Sequence, residues 1–180
     1  MQTLLGRYFL AASVFALAAC SSVSVKTDFD QSIAFAQYRS YTLLPSDELI
    51  GLSPSGEAAL TATLRNQLAA RGVAEAGDKA DLHIVRHITT KDKIRINSSS
   101  AGVPYRYGRY GAWAGGPQYT DVSQYTEGTL ILDFVDAKTN QLVFRGIASG
   151  TVGDPQANAA KIKEAVEKIV ADYPHPQGGQ

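Results

Sequence analysis

The chain has 180 residues, 17 basic and 17 acidic side chains, 44% hydrophobic residues and one cysteine. That length fits one domain with short appendages, and the apolar content is too high for a wholly disordered chain. Zero formal net charge removes the electrostatic footprint of a nucleic-acid binder, and a lone cysteine excludes an intrachain disulfide or a cysteine-rich zinc site.

Arg7 is followed by an unbroken run of 12 apolar or small residues, Tyr8 to Ala19. A helix needs about 20 such residues to cross a ~30 Å hydrocarbon core, so this run is too short to span and has the length of a signal-peptide core. It ends in Leu17-Ala18-Ala19-Cys20, which resembles a bacterial lipobox. The small residues let an extended backbone enter a peptidase site, and the Cys20 sulfur is the atom that takes up a diacylglyceryl group. A plain secretory leader cut near Ala19 would instead leave Cys20 a free thiol. A buried N-terminal helix is disfavoured because no polar residue alternates within the run. On the lipobox reading the mature chain begins at Cys20, Ser21-Ser22 is a minimal tether, and fatty-acyl chains such as palmitate hold the protein on a membrane. One chain anchors marginally and two or more anchor stably. Ser21, where an aspartate would signal inner-membrane retention, favours the periplasmic face of the outer membrane.

Val23, Val25 and Phe29 suggest a first strand, and Tyr38 to Leu44 a second. Pro45 to Pro54 reads as a loop. Ser53 is an N-cap with Pro54 at the first helical position. Leu60, Leu64 and Leu68 recur every four residues, and Gly72 stops the helix. Asp81 to Asn97 reads as a long strand. Leu82, Ile84, Ile88, Ile94 and Ile96 lie on one face, and His83, His87, Lys91, Lys93 and Arg95 on the other, with Arg86 and Asp92 interrupting the apolar face. Residues 98–118 are a Gly/Ser/Pro-rich loop interleaved with Tyr105, Tyr107, Tyr110 and Trp113. Gly128–Asp136 and Gln141–Gly150 form a hairpin around Ala137 to Asn140. Asp154 caps a second helix with Pro155 at its first position and an apolar stripe of Ile162, Val166, Ile169, Val170 and Tyr173. Both helices have one apolar face. The predicted architecture is α+β, a mainly antiparallel sheet of about five strands with two helices packed on one face. The organisation is leader 1–19, lipidated tether 20–22, one periplasmic domain 23–174 containing the loop 98–118, and a tail 175–180.

Several blocks resemble bacterial lipoproteins that carry domain of unknown function 4136. These are Val25 to Asp30, Phe35 to Tyr41, Ala80-Asp81-Leu82, Gly128 to Asp133, Asp136-Ala137-Lys138 with Leu142 to Gly146, and Tyr173-Pro174. The likeness spans Val23 to Pro174, with Leu43 and Phe144 standing where a tryptophan is common. The resemblance implies an anchored periplasmic protein without an established activity, and it supplies no catalytic residues.

Chemistry-bearing patterns are sparse. His83 and His87 are spaced as two metal ligands on a helix would be. On a strand they are about 13 Å apart, at ~3.3 Å per residue, too far to share a zinc whose ligands lie ~2 Å away. Ser149 lacks the spacing of a nucleophile elbow, and no cofactor-binding loop is legible. The second reading, an envelope hydrolase, would need a carboxylate site near Asp28, Asp30 or Asp133. Tyr105, Arg106, Tyr107, Arg109, Tyr110 and Trp113 suit stacking on a glycan or an envelope protein and pairing with its anions, and Lys91, Lys93 and Arg95 could extend that surface. The bland alternatives are a loop made soluble by Gly and Ser and a solvated sheet face. The favoured expectation is a non-enzymatic, membrane-anchored binding protein.

Overall fold

The computed structural model describes residues 23–45, 52–100 and 118–174. Its elements are β1 (Val23–Phe29), β2 (Ser40–Leu43), α1 (Pro54–Ala69), β3 (Ala74–Glu75), β4 (Leu82–Ser100), β5 (Gln118–Asp136), β6 (Leu142–Thr151) and α2 (Pro155–Ala171). They form one six-stranded sheet in the order β1-β6-β5-β4-β2-β3.

The helix boundaries follow the capping chemistry. Ser53 Oγ accepts from the Gly56 amide at 3.2 Å. Asp154 Oδ1 accepts from Gln156 and Ala157 at 3.0 and 2.9 Å, so orphan amides at both N-termini find acceptors. At the end of α1, Gly72 takes φ +74°, and the Val73 amide donates back to the Leu68 carbonyl at 3.0 Å. This is a Schellman-type stop that needs a residue at ease in the left-handed region.

Leu60, Leu64 and Leu68 of α1 and Val166, Ile169 and Val170 of α2 are fully buried in one cluster with Leu82, Ile84, Leu132, Phe134 and Phe144 of the sheet. Both helices therefore cover the same sheet face. An aromatic knot closes one end. Tyr173 lies 5.4 Å from Phe35, 5.2 Å from Phe134 and 5.4 Å from Phe144, centroid to centroid, separations at which edge and tilted ring contacts are favourable. Phe144 belongs to this knot.

The α+β architecture holds, and the sheet, mainly antiparallel as expected, has six strands and includes two parallel pairings. β2 runs parallel to both β3 and β4, because α1 carries the chain across between β2 and β3 and a crossover of that kind returns it parallel. β3, at two residues, is too short to give a periodic signal. The second strand begins at Ser40; Tyr38 follows a single 3-10 turn at Phe35–Gln37 and is buried. Finally, the strand after the aromatic segment is much longer than the sequence suggested, and the strand before it runs three residues further. β4 continues to Ser100 and β5 starts at Gln118, in unbroken register from Leu82↔Asp136 to Ser100↔Gln118. Both ends of the 98–118 segment thus belong to the ladder. Polar residues such as Ser123, Gln124 and Thr126 pair through the backbone and leave no hydrophobic alternation to read.

β6 ends at Thr151 opposite Glu127, so from Asp92 and Thr126 outward β4–β5 is a two-stranded arm. Nine ladder pairs at ~3.3 Å each make it about 30 Å long. Thr126 donates to Asp92 at 2.7 Å, Lys93 pairs with Glu127 at 2.5 Å, and the Arg95 guanidinium lies 4.8 Å over the Tyr125 ring. The basic stripe is thus partly engaged within the arm. Ile94, Ile96 and Val122 are exposed on its other face.

Candidate functional site

Side chains alternate across each strand, so the residues facing away from the helices follow from register. They include Asp28 of β1, Arg145 and Ile147 of β6, Ile131 and Asp133 of β5, and His83, Val85 and His87 of β4. Arg145 makes a two-pronged pair with Asp133, Nε to Oδ1 and Nη2 to Oδ2, both 2.6 Å. Asp28 stands opposite Arg145 in register. The two carboxylates hold the guanidinium firmly in its charged form, Asp133 by hydrogen bonding and Coulomb attraction and Asp28 more weakly. His87 Nε2 is 3.9 Å from Asp133 Oδ2.

The carboxylates expected of a hydrolase thus fall in two places, Asp133 and Asp28 beside Arg145 and Asp30 in a turn. Asp133 has both oxygens bound by Arg145. Asp28 lies beside the same arginine on the sheet surface. Asp30 closes a turn by accepting from the Ser32 amide and hydroxyl at 2.8 and 2.6 Å, which lowers its pKa. Ser149 Oγ meets Thr129 Oγ1 at 3.2 Å. His83 and His87 are half-buried strand residues, and the described residues contain no group of three or more His, Cys, Asp or Glu placed to hold a metal.

Two other aspartates, both within the blocks that carry the family resemblance, are the best-connected acids of the fold. Asp81 Oδ2 accepts from the Arg39 amide, the Ser40 amide and the Ser40 hydroxyl at 3.0, 3.1 and 2.8 Å, tying the start of β2 to β4. Asp136 Oδ1 accepts from Lys138 and Thr139 amides at 2.8 Å, and its Oδ2 accepts from Tyr38 Oη at 2.9 Å. Donated backbone hydrogen bonds lower both pKa values, while burial, aided by Asp136, pushes the Tyr38 hydroxyl up to about 12. They line a hollow of about 70 Å³ with Gln37 and Lys138. Their oxygens serve turns and strand junctions, so the signal that made these blocks recognisable is structural.

The larger cavity, about 210 Å³, lies where β1, β4, β5 and β6 meet the N-terminal turns of both helices. Ile88, Leu130, Ala148, Ile162 and Ala165 form its apolar wall, with Val23 and Val152 at its margin. Among the described residues, no aspartate, glutamate or histidine lines it. Its one ammonium, Lys161 Nζ, donates to the Thr151 carbonyl at 2.6 Å. Such a lining suits an apolar ligand and offers no proton-transfer group. The sequence places Ile88 and Leu130 on apolar strand faces and Ile162 on a helix stripe, and nothing in their spacing distinguishes a wall from a packed interior.

Cys20 and the aromatic set Tyr105, Arg106, Tyr107, Arg109, Tyr110 and Trp113 lie outside the described residues. Among the described residues no helix is long and apolar enough to cross a membrane.

Fold and site together define a small helix-covered sheet protein in which Asp30, Asp81, Asp133, Asp136 and Asp154 are held by structural contacts. The chain belongs to the DUF4136 family, a domain of unknown function, which matches residues 25–175. No curated protein matches. Among solved structures it is similar to a PDZ domain protein from Parabacteroides distasonis, at 15% identity and a TM-score of 0.51, over 88% of this chain. The chain spans 38% of that protein's length. PelC from Paraburkholderia phytofirmans, a dodecamer, aligns over 83% of this chain and 95% of its own at 10% identity and a TM-score of 0.47. A minor lipoprotein from Acinetobacter baumannii aligns over 75% of this chain and 88% of its own at 11% identity and 0.34. At these identities the likeness concerns the fold alone.

Proposed function

We propose that this is a lipoprotein anchored through Cys20 to the periplasmic face of the outer membrane, acting there by binding an envelope protein or glycan and not by catalysis. The lipobox supports the anchor. The observation that carries the binding half is the occupation of these acids: Asp30 and Asp133 are held by turn and ion-pair contacts, and none of the described residues lining the larger cavity is an acid. The surfaces left for a partner are the sheet face around Val85, Ile131 and Ile147 and the segment from Tyr105 to Trp113.

Metabolic labelling with a fatty-acid probe tests the anchor. Wild type takes up label and floats with outer-membrane vesicles, whereas Cys20→Ser does neither. Equal labelling of both would remove the anchor. The partner surface is tested by replacing Tyr107, Tyr110 and Trp113 with Ala and recovering partners from cross-linked envelopes. Recovery falls if the aromatic segment is the contact, and unchanged recovery of every partner rejects that role.

A further inference from the structure

The larger cavity is bordered by the start of β1, three residues after Cys20. β1 begins at Val23, which lines the cavity. Its position is fixed twice, by register with Gly150 of β6 and by Lys168 Nζ of α2, which donates to the Val23 carbonyl at 3.2 Å. Cys20 precedes Val23 by three residues, so its Cα lies within about 10 Å of the Val23 Cα even with the tether fully drawn out, at ~3.3–3.6 Å per residue. A long acyl chain on the Cys20 sulfur can therefore reach the cavity. The lining matches that occupant: aliphatic side chains from both sheet and α2, and a cation already bound to a backbone carbonyl. An apolar cavity bordered by the first residue of β1 is a place where a fatty-acyl tail can leave water without leaving the protein.

We infer that the cavity between α2 and the β1–β6–β5–β4 face is a binding site for one acyl chain carried on Cys20. The inference rests on the acylation proposed above. It adds a function to the fold: the domain receives part of its own anchor, and so shields that chain whenever it is withdrawn from the bilayer.

Feeding cells a diazirine-bearing palmitate places a photoreactive group in the acyl chains of lipoproteins. After irradiation of the full-length protein in its native envelope, peptide mass spectrometry reads both the modification of Cys20 and the cross-linked partners. The expected result is intramolecular cross-links from acylated Cys20 to the peptides containing Ile88 and Ile162. Thr90→Trp, at an exposed position on the cavity rim, blocks entry and lowers them at least fivefold. Val152→Trp, at another exposed lining position, is the second blocking variant, and thermal unfolding verifies that each variant is folded. Acylated Cys20 cross-linked only to phospholipid overturns the cavity inference and leaves the anchor standing. Cross-links undiminished in both folded variants also overturn it. An unmodified Cys20 removes the anchor and the inference together.

Discussion

At one end of the β4–β5 ribbon Leu82, Ile84, Leu132 and Phe134 are fully buried; at the other, on the same face, Ile94, Ile96 and Val122 are 62%, 64% and 59% exposed. The alternation of apolar and polar residues along β4 is similar at both ends. The difference is reach. α1 and α2 have 16 and 17 residues, about 24–26 Å at ~1.5 Å per residue. β4 and β5 have 19 each, roughly 63 Å at ~3.3 Å per residue. Helices of that length cover less than half of such a strand. Alternation assigns side chains to a face; whether anything lies over that face depends on the lengths and placement of other elements.

The sharpest way to break this comparison is truncation at the covered end. Phe134→Ala removes a ring that packs 5.1 Å from Phe144 and 5.2 Å from Tyr173 and is expected to cost about 3–5 kcal/mol, read from the urea midpoint. A loss below about 1 kcal/mol would mean that the helices do not seal this end.

Gly146 tests the helix contact itself. A Cβ there would collide with the Ile169 side chain of α2, so Gly146→Ala is expected to cost about 1–3 kcal/mol by overpacking. Combining it with Ile169→Ala opens space for the new methyl, and the double variant should lose less than the sum of the two single losses. Strict additivity would contradict the contact.

The acid limb probes the polar ties at the covered end. Asp81 and Asp136, like Asp30 and Asp154, have pKa values lowered by hydrogen bonds from their usual 3.8. A depressed folded-state pKa means that the unfolded chain binds protons first. The stabilisation is therefore complete above about pH 4 and is lost as pH falls through 3.8 and below. Urea midpoints measured from pH 7 to pH 2.5 should stay level at first and then drop. The drop should be shallower in the Asp81→Ala/Asp136→Ala double variant. A midpoint that rises on acidification would reverse the assignment.

The smallest effect belongs to the arm. Ile94→Ser and Ile96→Ser remove apolar side chains already in water and are expected to shift stability by no more than about 0.5 kcal/mol. A loss comparable to that of Phe134→Ala would show that the arm is covered in solution.

Much of the fold was legible from local chemistry. Ser53-Pro54 and Asp154-Pro155 announce helix starts, and Gly72 announces a stop. Leu60, Leu64 and Leu68, with Val166 and Ile169, name the faces that pack. The hairpin around Asn140, which takes φ 56°, was visible for the same reason. The outer half of the β4–β5 ladder was hidden, because Tyr119 to Glu127 have no apolar alternation and their strand exists through pairing with β4. The role of Asp81 was hidden too: its partners Arg39 and Ser40 lie some forty residues away, and only the sheet brings them within 3.1 Å.

The sequence by itself determined the two helices and their apolar faces, because these depend on residues within a turn or two of one another. Only the tertiary structure decided the parallel pairing of β2, the two-stranded arm, the binding of Asp133 by Arg145 and the cavity beside Val23. Each arises from residues remote in sequence meeting at one place, and local propensity carries no information about that meeting.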